Sequence, residues 1–84
     1  MLEASPLRSL ETRATRVCEL VLSHCPSLEA KGFASAMLPA TPESIAKWGP
    51  LLSYELRFWR SPLFDNLRLT LRNIRAELRS TPNA

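Results

Sequence analysis

Apolar residues recur at helical intervals near both ends of this 84-residue chain. The first stripe consists of Leu7, Leu10, Ala14, Val17 and Val21. The second consists of Phe64, Leu67, Leu71, Ile74 and Leu78. Steps of three and four residues place side chains on one face of an α-helix, and such a face is normally buried. We therefore expect amphipathic helices over about residues 6–25 and 62–79.

Proline marks the boundaries of the predicted helices. Ser5-Pro6, Thr41-Pro42 and Ser61-Pro62 each place a good N-cap residue before proline at the first helical position, where its missing N–H costs nothing. Between these starts, we expect a second helix over about 28–38. Gly49-Pro50 predicts a kink or a short break, which would divide the third helical region into 42–48 and 50–60.

Together these elements predict an all-α fold, because no segment shows the sustained alternation of a β-strand. We expect one helical domain over residues 1–84, a compact bundle or orthogonal array of four to five short helices. Residues 80–84 are expected to form a frayed tail.

Residues 48–60, WGPLLSYELRFWR, are too apolar for an ordinary surface helix. Such a helix is either wrapped by its neighbours or partly reserved for a partner. Phe58 and Trp59 are adjacent, so they point about 100° apart and cannot both face one core. We expect one of the two to be a contact residue.

Positive charge is concentrated in the last third of the chain. The net charge is +3, but residues 57–84 hold six arginines against Asp65 and Glu77. In the final helix Arg68, Arg72, Arg75 and Arg79 follow one another at steps of three and four residues, beside the apolar stripe. This arginine stripe is a solvated face, a site for an acidic protein partner, or a contact for a nucleic-acid backbone.

Composition favours a globular protein, with 45% hydrophobic and 23% charged residues. No apolar run approaches the roughly eighteen residues that cross a bilayer, and the N-terminus lacks the apolar core of a secretory signal. We therefore expect an intracellular protein without a membrane span.

Catalytic and metal-binding patterns are weak. Cys18 and Cys25 are seven residues apart on one predicted helix, about 10 Å, which is too far for a disulfide. Together with His24 they provide only three candidate zinc ligands, whereas a zinc site uses four ligands in pairs. We therefore interpret the cysteines as reduced and buried. The sequence shows no phosphate loop and no catalytic triad, and we expect no enzyme activity, no metal and no cofactor.

One local pattern is similar to the helix-turn-helix of phage-repressor-like DNA-binding domains. It consists of Phe33-Ala34-Ser35-Ala36-Met37, a turn, and a helix beginning at Thr41-Pro42. The resemblance implies that Thr41 caps a recognition helix and that Glu43, Ser44 and Lys47 face the major groove, with Ile45 and Trp48 packed inward. The turn is one residue longer than in that family and lacks its glycine, and an ordinary helical corner is the other interpretation.

The hypothesis that we favour is a non-catalytic protein-interaction module, an adaptor, inhibitor or accessory subunit, that binds an acidic surface or a partner helix. Its predicted contact residues are Arg57, Trp59, Arg60, Arg68, Leu69, Arg72, Arg75 and Arg79. Leu69 lies away from the apolar stripe of its helix, so self-association through it is a variant of this hypothesis. The alternative is a DNA-binding regulator that uses residues 33–48.

Overall fold

A computed structural model describes residues 6–80, and for Pro6 and Leu7 only the backbone. The regular elements in this range are four α-helices: α1 Pro6–His24, α2 Leu28–Met37, α3 Pro42–Leu56 and α4 Pro62–Ser80. The prediction of an all-α compact bundle is therefore confirmed. The predicted N-cap Ser5 and residues 81–84 of the predicted tail lie outside the described residues, whereas Ser80 ends α4.

Side-chain caps start three of the helices at the predicted places. Ser27 Oγ accepts a hydrogen bond from the Ala30 N–H at 3.1 Å, and Ser61 Oγ accepts one from the Phe64 N–H at 3.1 Å. Thr41 begins α3 with a capping box that it shares with Ser44. These bonds satisfy N–H groups that the first turn of a helix leaves without an internal partner.

The predicted division into helices over 42–48 and 50–60 is wrong, because α3 continues through Gly49 and Pro50. Proline at position 50 removes the N–H that would bond the carbonyl of residue 46, but Ile45 and Leu52, on either side, are fully buried. Burial of such side chains contributes about 1.5–3 kcal/mol each, enough to offset one lost hydrogen bond. Tertiary packing thus overrides the local signal.

The helix α3 also ends earlier than predicted, at Leu56 instead of residue 60. The N–H groups of Arg57, Phe58 and Trp59 bond to carbonyls three residues earlier, at 3.1–3.2 Å. This tightened geometry is common where a helix terminates. The Arg57–Arg60 segment therefore forms the turn between α3 and α4.

The core takes apolar residues from all four helices. Both predicted stripes are buried over the described side chains, except that Leu78 is only partly buried. His24, the next step of the first stripe, is exposed. The fully buried large side chains include Leu10, Val17, Val21, Met37, Ile45, Leu52, Leu56, Leu71 and Ile74.

The helices close into a ring in which α1 and α3 each pack against α2 and α4. Across the α1–α4 contact, the Arg13 guanidinium donates two hydrogen bonds to the Glu77 carboxylate, at 2.7 and 3.0 Å. The Cα radius of gyration is 12.4 Å, close to the value of about 12 Å for a compact domain of this length. Because α3 and α4 are neighbours in this ring, the turn that joins them lies at one end of a shared groove.

Candidate functional site

The arginine stripe of α4 lies along its groove with α3. One cleft, with a volume of about 350 Å³, is lined by Ser53 of α3 and by Asp65, Arg68, Leu69, Arg72 and Arg75 of α4. A second cleft, of about 380 Å³, is lined by Arg57, Arg60, Asp65 and Arg68. We call the residues of both clefts together the arginine groove. It joins the α4 stripe to two arginines from the preceding turn.

The stripe continues beyond these two clefts. Arg75 and Arg79 line a third, smaller cleft with Ala46, Pro50 and Leu78. All six arginines of the last third therefore line clefts along one side of α3 and α4. The structure thus brings together every arginine that the sequence proposed as a contact residue.

Helix geometry determines the spacing of these charges. At a rise of about 1.5 Å per residue, steps of three and four residues separate successive arginines by about 4.5–6 Å along the axis of α4. This is shorter than the screening length of about 8 Å at physiological salt, so their fields add over the groove.

Arg75 of α4 packs over Gly49 of α3 beside this groove. A Cβ atom at position 49 would lie 3.4 Å from Arg75 Cδ and 3.7 Å from Arg75 Cγ. The aliphatic part of the Arg75 side chain therefore packs over the glycine, as long basic side chains do when their charged end reaches water.

Asp65 contributes a negative charge to the arginine groove. Its Oδ1 lies 3.5 Å from Arg68 Nη1, and the two side chains are 54% and 35% exposed. Asp65 is not among the predicted contact residues, although its position three residues before Arg68 on a helix favours such a pair. Ser53 was also missed, because only tertiary packing brings it to the groove.

The exposed aromatic residue of the turn is Phe58, not Trp59. Phe58 is 62% exposed, and its ring packs edge-on against Tyr54 with ring centroids 5.3 Å apart. Trp59 is half-buried and packs against the core, with an Nε1 that is buried and has no hydrogen-bond partner within residues 6–80. Phe58 and Tyr54 thus present the apolar surface that sequence reasoning placed at Trp59.

Leu69, the other predicted apolar contact, is 53% exposed and lines the first cleft. It therefore offers an apolar surface among the arginines. On the α3 side, the Arg57 guanidinium lies 5.6 Å from the centroid of the Tyr54 ring, a cation–π distance.

The four residues implied by the helix-turn-helix resemblance lie at the start of α3. Glu43 and Lys47 are exposed, whereas Thr41 and Ser44 are half-buried. Ser44 Oγ accepts a hydrogen bond from the Thr41 N–H at 2.9 Å and donates one to the Met37 carbonyl at 2.7 Å. Its hydroxyl group is therefore engaged within the protein.

The inward-facing residues of that resemblance are packed as it implied. Ile45 is fully buried, and Trp48 stacks on Phe33 with ring centroids 6.1 Å apart. The same packing would stabilise an ordinary helical corner, so it does not distinguish the two interpretations.

The cysteine thiols are free and buried, as predicted. Cys18 Sγ lies 3.6 Å from Met37 Sδ. Burial, together with the neighbouring Glu19 carboxylate, raises the pKa of the Cys18 thiol to about 11. A thiol with so high a pKa is a poor nucleophile at neutral pH. Among residues 6–80, no three His, Cys, Asp or Glu side chains are grouped closely enough to hold a metal ion.

None of the described helices combines the length and the apolar character needed to cross a bilayer. Searches of protein-family models, curated proteins and solved structures each find no significant match to the chain.

Proposed function

We propose that this protein is a small helical binding module, without catalytic chemistry of its own, that holds an acidic protein surface or an acidic partner helix in the arginine groove. The observation that carries the proposal is the convergence of Arg57, Arg60, Arg68, Arg72 and Arg75 on two adjoining clefts. Among the described residues, Asp65 alone brings a carboxylate to those clefts.

The chemistry of the groove favours a macromolecular partner. Small-molecule sites are lined mainly by apolar and aromatic side chains around a few polar groups. Here charged side chains form most of the lining. Guanidinium groups bind carboxylates through paired N–H donors and lose hydration more readily than lysine, so a row of them suits a surface rich in Asp and Glu.

Apolar surface beside the charges supports the same proposal. Leu69 lies within the groove, and Tyr54 and Phe58 are exposed on and just after α3. Protein interfaces are enriched in arginine and aromatic residues, and a few such residues carry most of the binding energy. The mechanism is electrostatic attraction followed by apolar anchoring.

The test is a fluorescence-anisotropy titration of the full chain against a labelled oligoglutamate peptide at low and moderate salt. Arg72→Ala is compared with Arg16→Ala, which removes another exposed arginine, from the middle of α1. We expect Arg72→Ala to raise the Kd about three- to tenfold, because it removes a charge-assisted contact, and Arg16→Ala to change it less than about twofold.

Equal effects of the two substitutions, or no binding at low salt, would contradict the proposal. A parallel titration with mixed-sequence double-stranded DNA tests the alternative. DNA binding that is abolished by Lys47→Ala but unaffected by Arg72→Ala would favour the helix-turn-helix hypothesis. Light scattering on the same samples tests self-association, which Leu69→Ser should reduce if Leu69 mediates it.

A further inference from the structure

The two clefts of the arginine groove share two lining residues, Asp65 and Arg68. Beyond this pair, one cleft holds Arg72 and Arg75, and the other holds Arg57 and Arg60. The groove is therefore two arginine pairs separated by a position where a carboxylate and a guanidinium lie together.

Asp65 is only weakly paired at this position. Its 3.5 Å separation from Arg68 and the exposure of both side chains indicate a weak ion pair. A carboxylate in this position repels an approaching carboxylate and attracts a cation. It therefore penalises a uniformly acidic partner at the centre of the groove and leaves the two arginine pairs free to bind anions.

We infer that Asp65 selects the partner: the groove takes a helix that carries carboxylates on both sides of a basic residue on the same face. This inference rests on the proposed function and specifies the chemistry of its partner. Specificity of this kind combines attraction to the correct partner with repulsion of the wrong one.

A helical partner fits the geometry of α4. The groove arginines of α4 follow its axis at steps of about 4.5–6 Å, the same rise as side chains three and four residues apart on a second helix. Asp65 precedes Arg72 by seven residues, about 10.5 Å along the axis of α4. A basic residue that faces Asp65 and an acidic residue that faces Arg72 are therefore about two turns apart on the partner helix, and a second acidic residue beyond the basic one can face Arg57 and Arg60.

The experiment uses three alanine-based helical peptides that are identical except at the centre of one face. Each carries glutamates toward both ends of that face, and the central residue is Lys, Gln or Glu. The Kd of each peptide is measured with the wild-type chain, with Asp65→Asn and with Glu29→Gln. The last variant is the matched control, because Glu29 is also exposed and also lies in the first turn of its helix.

For each protein, the Kd of the Glu-centred peptide is divided by the Kd of the Lys-centred peptide. We expect Asp65→Asn to lower this ratio about 1.5- to 5-fold relative to wild type, the range for a change at an exposed charge pair. Glu29→Gln should leave it unchanged. Removal of either charge weakens a favourable helix-dipole interaction, so circular dichroism melts verify that both variants are folded.

The outcomes separate this inference from the proposed function. If all three peptides bind but the ratio is the same in wild type and Asp65→Asn, the selecting role of Asp65 is wrong and the binding function stands. A ratio that falls equally in Glu29→Gln would show a general effect of net charge, which also refutes the role of Asp65. If no peptide binds at low salt, or only double-stranded DNA does, both proposals are wrong.

Discussion

Substitution of Ser44 tests the junction between α2 and α3, because the Ser44 hydroxyl group joins these two helices. Its Oγ accepts a hydrogen bond from the Thr41 N–H at 2.9 Å and donates one to the Met37 carbonyl at 2.7 Å. Ser44→Ala removes both bonds. The substitution leaves the Thr41 N–H and the Met37 carbonyl, the last of α2, without this hydrogen-bond partner.

The expected loss of stability follows from these two bonds. Loss of a hydrogen bond costs about 0.5–1.5 kcal/mol, and Ser44→Ala loses two. Thr41 Oγ1 can still accept from the N–H of residue 44. We therefore expect Ser44→Ala to lower the free energy of unfolding by about 1–3 kcal/mol. For a domain of this size, 1 kcal/mol shifts the Tm by about 4–8 °C, so the change should lower the Tm by roughly 4–24 °C.

Urea denaturation followed by far-UV circular dichroism measures this change. Ser35→Ala, the same substitution at an exposed position in α2, is the control and reports the gain in helix propensity alone, a few tenths of a kcal/mol. Thr41→Ala breaks the same capping box, so the double variant should lose less than the sum of the single losses. A Ser44→Ala protein as stable as the Ser35→Ala control would refute the bridging role.

Three further predictions follow from the described residues. Gly32→Ala should stabilise the protein by about 0.5–1 kcal/mol in the same denaturation assay, because position 32 is helical and a Cβ there has no neighbour within 4 Å; a loss of stability would contradict the exposed helical position. Cys18 and Cys25 should both resist a thiol reagent at neutral pH and react fully in denaturant, because both are buried; rapid reaction of the native protein would contradict that burial. The hydrogen bonds from Arg13 hold the pKa of the Glu77 carboxyl below its ordinary value. The stability that this ion pair contributes is therefore present above the unfolded-state pKa of about 4 and is lost as pH falls through the lower folded-state pKa. Glu77→Gln should accordingly lower the Tm at pH 7 and change it less in strong acid, and an equal effect at both pH values would refute the linkage.

Local interactions made most of the helices predictable. Thr41 and Ser61 act within three residues of themselves, and the apolar stripe from Phe64 to Ile74 repeats within one helix. Caps and apolar periodicity depend only on residues that are close in sequence, so they can be identified without knowledge of the fold. The same holds for the spacing of the α4 arginines, although spacing alone did not indicate which surface they would face.

The continuity of α3 and the exposure of its aromatic residues depended on the other helices. Gly49-Pro50 favours a break in an isolated helix. Burial of Ile45 and Leu52 against the rest of the bundle keeps α3 continuous. The sequence does not show which of Phe58 and Trp59 is buried. The turn after Leu56 directs Trp59 to the core and leaves Phe58 exposed.

The sequence by itself determined the all-α class, most helix boundaries and the row of arginines on α4, because capping and periodicity act over a few residues. Only the tertiary structure decided that this row faces α3, that Arg57 and Arg60 join it, and that Asp65 lies between the two arginine pairs. The physical reason is that the composition of a groove depends on which helices pack together and at which turn they end, and both are determined by burial across the whole core.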